Sequence, residues 1–130
     1  MSAPEAAQLL EAARALLPRA HAPHSRFRVA AVLEDDEGRL HPGVNVESAS
    51  LGLTLCAERN AVFGAIARGA TRFQRIAVVS DARRPCVPCG ACRQVLAERA
   101  PDLVVVLEAP DGSAEETPLA ALLPRPFTDF

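Results

Sequence analysis

Apolar residues recur at helical spacing through Leu9, Leu10, Ala13, Leu16 and Leu17, which predicts an amphipathic helix near the start of the chain. Ser2-Ala3-Pro4-Glu5 has the form of a capping box with Pro in the first turn, and Pro18 and Pro23 close the segment. The period then changes. Phe27 to Leu33 is a β-prone run, Glu34-Asp35-Asp36-Glu37-Gly38 a polar turn, and Arg39 to Val46 a returning strand. Pro42 inside that returning segment calls for an edge position or a bulge. A loop containing Ser and Gly leads to Thr54, a favourable N-cap for a helix from about Leu55 to Arg68 that Gly69 terminates. Phe73 to Ser80 predicts a buried strand, Asp81 to Pro88 a loop, and Cys89 to about Ala100 a second helix. Leu103 to Leu107 is a continuous apolar strand, Pro110-Asp111-Gly112 a turn, Ala114 to Thr117 at most a short further strand, and Leu119 to Leu123 a short last helix.

This order predicts a single α/β domain over residues 1–130, with a mixed sheet of about five strands flanked by helices. The helices on either side of the Phe73–Ser80 strand both run opposite to it. Both therefore begin at its carboxyl end, the edge at which open α/β sheets tend to hold ligands.

Composition narrows the function classes. A chain of 130 residues is large enough for one core, and 49% hydrophobic residues exclude a disordered chain. The net charge of -2 supplies no basic footprint for nucleic acid, and Arg83-Arg84 reads as solvated surface. Glu5 and Glu11 interrupt the first twenty residues, so no secretion signal is expected, and no apolar run approaches the roughly 20 residues of a membrane span. A cytoplasmic protein is the expectation. In that setting four cysteines point to metal binding or catalysis more than to disulfides.

The chemistry concentrates in Thr54-Leu55-Cys56-Ala57-Glu58-Arg59-Asn60 and Pro88-Cys89-Gly90-Ala91-Cys92-Arg93-Gln94. Cys89 and Cys92, three apart at a helix start, can present two thiols to one metal, and Cys56 can supply a third. Three protein ligands leave a tetrahedral position for water, as in catalytic zinc sites. Glu58 is then the natural proton carrier, provided that the site sits over the helix end, because residues two apart otherwise point to nearly opposite faces. Three thiolates give zinc a net charge of about -1, which two helix N-termini and Arg59 would offset. The competing arrangement is a closed, structural four-thiolate site that adds Cys86. Pro85 and Pro88 hold that segment extended, which argues for Cys86 as a bystander. His21, His24 and His41 have no ligand spacing and read as surface residues.

C-x-E followed by P-C-x-x-C is the general signature of zinc deaminases. With it, Ser25-Arg26-Phe27-Arg28-Val29, Gly43-Val44-Asn45-Val46-Glu47 and the continuation Val95-Leu96 resemble the small homotetrameric cytidine deaminases over nearly the whole chain. The resemblance implies a three-layer deaminase fold with one zinc per chain on Cys56, Cys89 and Cys92. It implies Glu58 as proton shuttle, Arg59 as moderator of thiolate charge, and Asn45 with Glu47 on the ribose 3′-hydroxyl. Val46, Ala57 and Phe27 would line the nucleoside site, and Phe127 of a neighbouring subunit would cover the base. His24, Ala30, Ser48 and Asn60 stand where the family usually has tyrosine, glycine, asparagine and threonine. Ala30 adds a methyl beneath the pocket. The implied reaction is hydrolytic deamination of cytidine and 2′-deoxycytidine in pyrimidine salvage. A blasticidin-type deaminase is the nearest alternative, against which Glu47 and Arg59 speak, and a noncatalytic zinc module is the alternative from another class.

Overall fold

The computed structural model describes residues 4–82 and 84–128. Its centre is a five-stranded sheet in the order β2-β1-β3-β4-β5, formed by Val29–Asp35 (β1), Leu40–Val44 (β2), Phe73–Ser80 (β3), Val104–Glu108 (β4) and Ala114–Pro118 (β5). Only β3 and β4 are parallel, and the other neighbours pair antiparallel. The helices are Ala6–Arg14 (α1), Ala57–Ala67 (α2), Gly90–Arg99 (α3) and Leu119–Leu122 (α4).

Period-2 alternation sorts the strands into two cores and so gives three layers. Val29, Ala31 and Leu33 of β1 face the side carrying α2 and α3, with Ile76, Val78, Val105 and Leu107. Ala30 and Val32 face the other side, where Leu9, Leu10 and Ala13 of α1 cover Ala77, Val79 and Val106. Ala30 is thus packed under α1, away from the α2 and α3 layer. The mixed sheet and its flanking helices are those expected from the chain pattern, and Pro42 lies on the edge strand β2.

Four local readings are corrected. The capping box of α1 uses Glu5 and Gln8, with Glu5 N–H donating to Gln8 Oε1 at 2.8 Å. Ser2, the expected cap, lies outside the described residues. α1 ends at Arg14, and Leu17–Arg19 form a separate 3₁₀ turn that accepts Pro18 at its start. Glu34 and Asp35, expected in a turn, belong to β1 and are buried at 0% and 1% exposure. His41, expected at the surface, is buried beside them.

Partners explain this burial. Arg75 on the neighbouring strand donates from Nε and NH2 to the two Glu34 oxygens at 2.8 and 2.9 Å. Asp35 Oδ1 accepts from the Glu37 and Arg39 N–H groups, each at 2.9 Å, and Oδ2 lies 3.0 Å from His41 Nε2 and 3.1 Å from Arg39 Nε. Burial alone would raise the Asp35 pKa. The His41 bond and the backbone N–H donors outweigh it and hold the carboxyl at about 2. A folded-state pKa below the unfolded value means stability that is complete above about pH 4 and lost as pH falls toward 2. In metal-stripped protein, urea unfolding across that window is expected to show a stability loss that Asp35→Asn removes. An equal slope in the variant would refute the assignment.

Gly43 fixes how closely β2 approaches α2. A Cβ there would stand 2.2 Å from the Ala57 carbonyl oxygen and 2.6 Å from the Ala61 nitrogen, both backbone atoms of the helix. Gly43→Ala must therefore move α2, and overpacking of this kind costs about 3 kcal/mol. Thermal unfolding of the variant is expected about 10 °C lower. A Tm unchanged within experimental error would show that β2 yields instead.

Candidate active site

α2 and α3 both open at the carboxyl end of β3, because the chain reaches β3 from the C-terminus of α2 and leaves it toward α3. The N-caps of the two helices are cysteines. Cys56 (φ -74°, ψ 156°) and Cys89 (φ -67°, ψ 164°) are extended, and their carbonyls accept the first helical bonds, from Asn60 N–H and Arg93 N–H at 3.0 Å each. Thr54, the expected cap, instead accepts from Ser48 N–H at 3.0 Å and ties down the preceding loop. An N-cap side chain lies over the helix end, so Cys56 and Glu58 reach the same site despite standing two apart in sequence. Paired bonds between Val46 and Leu55, 3.0 Å in each direction, register the 45–47 segment against the approach to Cys56.

The Sγ atoms of Cys56, Cys89 and Cys92 lie within 4.8 Å of one another. Cys56 and Cys89 are 3.7 Å apart, and Cys89 and Cys92 3.3 Å. Arg59 NH2 donates to Cys56 Sγ at 3.3 Å, while the buried Arg59 Nε has no hydrogen-bond partner. Cys56 is pushed down to about 5, chiefly by its bond from the Cys92 thiol and also by Arg59, against the opposing effect of burial. Cys92 is pushed up by the same bond and by burial. The group thus ionises first at Cys56, beside the guanidinium. Three soft donors converging from two helix N-termini fit zinc, which binds thiolates and needs them deprotonated. Cys86 is buried nearby but does not join the cluster.

Glu58 is 4% exposed, and its carboxyl is pushed above the usual carboxylate range by burial and by the negative charge of Cys56. It borders a cleft of about 220 Å³. Phe27 and Val29 from the start of β1, Asn45 and Glu47 after β2, and Ala57 at the start of α2 form further walls. Asn45 holds the start of β1: its Oδ1 accepts from Val29 N–H at 2.9 Å and its Nδ2 donates to the Phe27 carbonyl at 2.8 Å. Glu47 accepts from the His24 and Ser25 N–H groups at 2.8 and 3.0 Å.

Two expected contributors stand apart from this cleft. Val46 is 45% exposed and takes part through its backbone, and Phe127 is 64% exposed and does not line its own chain's cleft. Phe127 is held by Gln94, whose Oε1 accepts its N–H at 3.0 Å and whose Nε2 donates to its carbonyl at 2.5 Å. Conversely, Cys86, Val87 and Ser25 line the cleft, although only Ser25 stood in a motif that the sequence singled out, and none had been assigned to the site. The signal for Cys86 and Val87 was positional, since the short prolyl segment before Cys89 has to pass the site.

Residues 4–108 match the family described as the cytidine and deoxycytidylate deaminase zinc-binding region. A cytidine deaminase of Halalkalibacterium halodurans is 48% identical over 110 residues, covering 84% of this chain and 83% of that protein. One from Sporosarcina psychrophila is 42% identical, covering 85% and 82%. The crystal structure of cytidine deaminase from Burkholderia pseudomallei superposes with a TM-score of 0.86 at 46% identity, covering 92% of this chain and 97% of that one. That of the Mycobacterium tuberculosis enzyme superposes with a TM-score of 0.83 at 36% identity, covering 94% and 96%. With three thiols gathered at two helix N-termini and a family match across most of its length, this chain belongs to the zinc-binding cytidine and deoxycytidylate deaminases.

Proposed function

We propose that this protein hydrolyses cytidine and 2′-deoxycytidine to the corresponding uridines and ammonia. The observation that carries the reading is the buried Glu58 beside the three-thiol cluster, in a cleft that also presents the Glu47 carboxylate. Among the described residues lining that cleft none is a cation, so a nucleotide's 5′-phosphate would find no charged partner there. A nucleoside is therefore the better-fitting substrate than its 5′-phosphate.

Cys56, Cys89 and Cys92 hold the zinc. When bound, it supplies the Lewis acidity that makes water nucleophilic at neutral pH. Glu58 takes a proton from the attacking water and gives it to ring N3 as oxygen bonds to C4. It then carries the hydroxyl proton to the amino group, and the C4–N bond breaks to release ammonia and leave the uridine carbonyl. One carboxyl group performs all the transfers, for which a raised pKa suits it. Arg59 disperses thiolate charge, Asn45 and Glu47 engage the ribose 3′-hydroxyl, and Ala57 and Phe27 shape the nucleoside site, to which Val46 contributes only by its backbone pairing with Leu55. Phe127 covers the base of a neighbouring subunit in a homotetramer, a reading supported by its exposure and by its not lining its own chain's cleft.

The chain acts as a single catalytic domain in cytoplasmic pyrimidine salvage. No helix among the described residues is long and apolar enough to cross a membrane. Ammonia release from cytidine, measured with zinc content on the same sample and with deoxycytidylate as comparator, tests the proposal. Turnover of the nucleosides at one zinc per chain is expected. Full zinc occupancy without nucleoside turnover would overturn it.

A further inference from the structure

The turn before β1 is organised around a single carboxylate. Glu47 Oε1 accepts from two successive backbone N–H groups, His24 at 2.8 Å and Ser25 at 3.0 Å, while the Ser25 hydroxyl donates to Glu47 Oε2. The same hydroxyl accepts from Phe27 N–H at 3.0 Å. Between them Arg26 adopts φ +59°, the left-handed region that a non-glycine residue enters at a cost, and its N–H is fixed on the Ala22 carbonyl at 3.0 Å. Ser25, Phe27 and Glu47 all line the cleft. One side chain, Ser25, thus bonds directly to a cleft carboxylate and to the backbone that presents the cleft phenylalanine.

From this geometry we infer that Ser25 is a positioning residue for nucleoside recognition, setting the Glu47 carboxylate and the Phe27 ring at a fixed separation. The inference rests on the proposed role of Glu47 toward the ribose 3′-hydroxyl. Three donors from the turn orient the carboxylate and still leave lone-pair capacity on its two oxygens for one more donor. They also hold Glu47 below the usual carboxylate range, the Ser25 hydroxyl contributing most, so that it remains an acceptor for a substrate hydroxyl. Without the Ser25 hydroxyl, Glu47 keeps its two backbone donors on Oε1, but Oε2 is released and the carboxylate can rotate away from the sugar. Strain at Arg26 makes the loss larger, because the hydroxyl bridges the residues on either side of it.

The test compares cytidine with 3′-deoxycytidine, which lacks the group that Glu47 would bind. The ratio of their kcat/KM values is expected to fall about tenfold in Ser25→Ala, the effect of one charge-assisted hydrogen bond. Ser25→Thr, which keeps the hydroxyl, should restore the ratio. Glu47→Gln should lower it as well, and adding Ser25→Ala to Glu47→Gln should lower it little further, since both act through one contact. A merely structural loss would reduce turnover of both substrates alike. A Ser25→Ala variant with an unchanged ratio, or with effects fully additive to Glu47→Gln, overturns the inference alone. A wild-type chain that turns over neither nucleoside overturns the proposed function and this assignment with it.

Discussion

Glu58→Gln is expected to keep one zinc per chain while turnover of cytidine falls at least about a hundredfold. Glutamine preserves the volume and much of the hydrogen bonding at a site that is 4% exposed, so neither the start of α2 nor the three thiols should move. What it removes is the capacity to accept and release a proton. Positioned acid and base groups typically contribute roughly 10²- to 10⁴-fold, and here one group serves every transfer, so the loss belongs at the upper part of that range. It should fall on kcat, with substrate binding largely kept. Zinc and activity measured on one sample separate this outcome from metal loss. A variant with full zinc and near-normal turnover would remove Glu58 from the chemistry and favour a noncatalytic zinc module.

Cys92→Ser is expected to abolish both metal and activity. Cys92 is 0% exposed, sits in the first turn of α3, and brings its sulfur to 3.3 Å from Cys89. With serine there, two thiols remain, and a buried hydroxyl does not replace a thiolate for zinc. Binding that is confined to the folded state stabilises by mass action, about 4 kcal/mol at a thousandfold excess of ligand over Kd. The variant should therefore also lose the Tm increase that added zinc gives the parent protein. Cys86→Ser is the control, expected to retain one zinc per chain. Metal loss in that variant would overturn the three-ligand assignment.

The mixed sheet and its flanking helices were legible because Ile76, Val78 and Val79, the Leu103–Leu107 run and the Leu9–Leu17 periodicity each express one dominant burial pattern. The metal centre was legible because cysteine spacing survives small errors in helix boundaries. What the pattern misplaced was capping and buried charge. Thr54 is a better intrinsic N-cap than Cys56, yet the cysteine holds that place, because α2 begins where its thiol meets those of α3. Glu34 read as part of a polar turn because its partner Arg75 lies far along the chain on β3, whereas Asp35 and His41 are buried against each other and against Arg39 by the β1–β2 pairing, which the charged run hides. A carboxylate aligned with a distant guanidinium leaves no local signature. Nor does a cleft wall such as Cys86, placed there by the course of a loop.

The two rims of the sheet carry a further consequence. On β2 the rim holds Pro42, which has no N–H to offer, and on β5 it carries the exposed pair Glu115 and Glu116 with Pro118 at the end. Proline and like charge at open edges oppose the docking of another strand. Growth by strand addition, the route shared by domain-spanning sheets and fibrils, is thereby blocked at both ends. Whatever assembly this chain enters must be built through its exposed helical and loop surfaces, where Leu51, Leu53, Phe63 and Ile66 stand ready. Protection from aggregation, and a bias of any assembly away from strand pairing, thus follow from the same few edge residues.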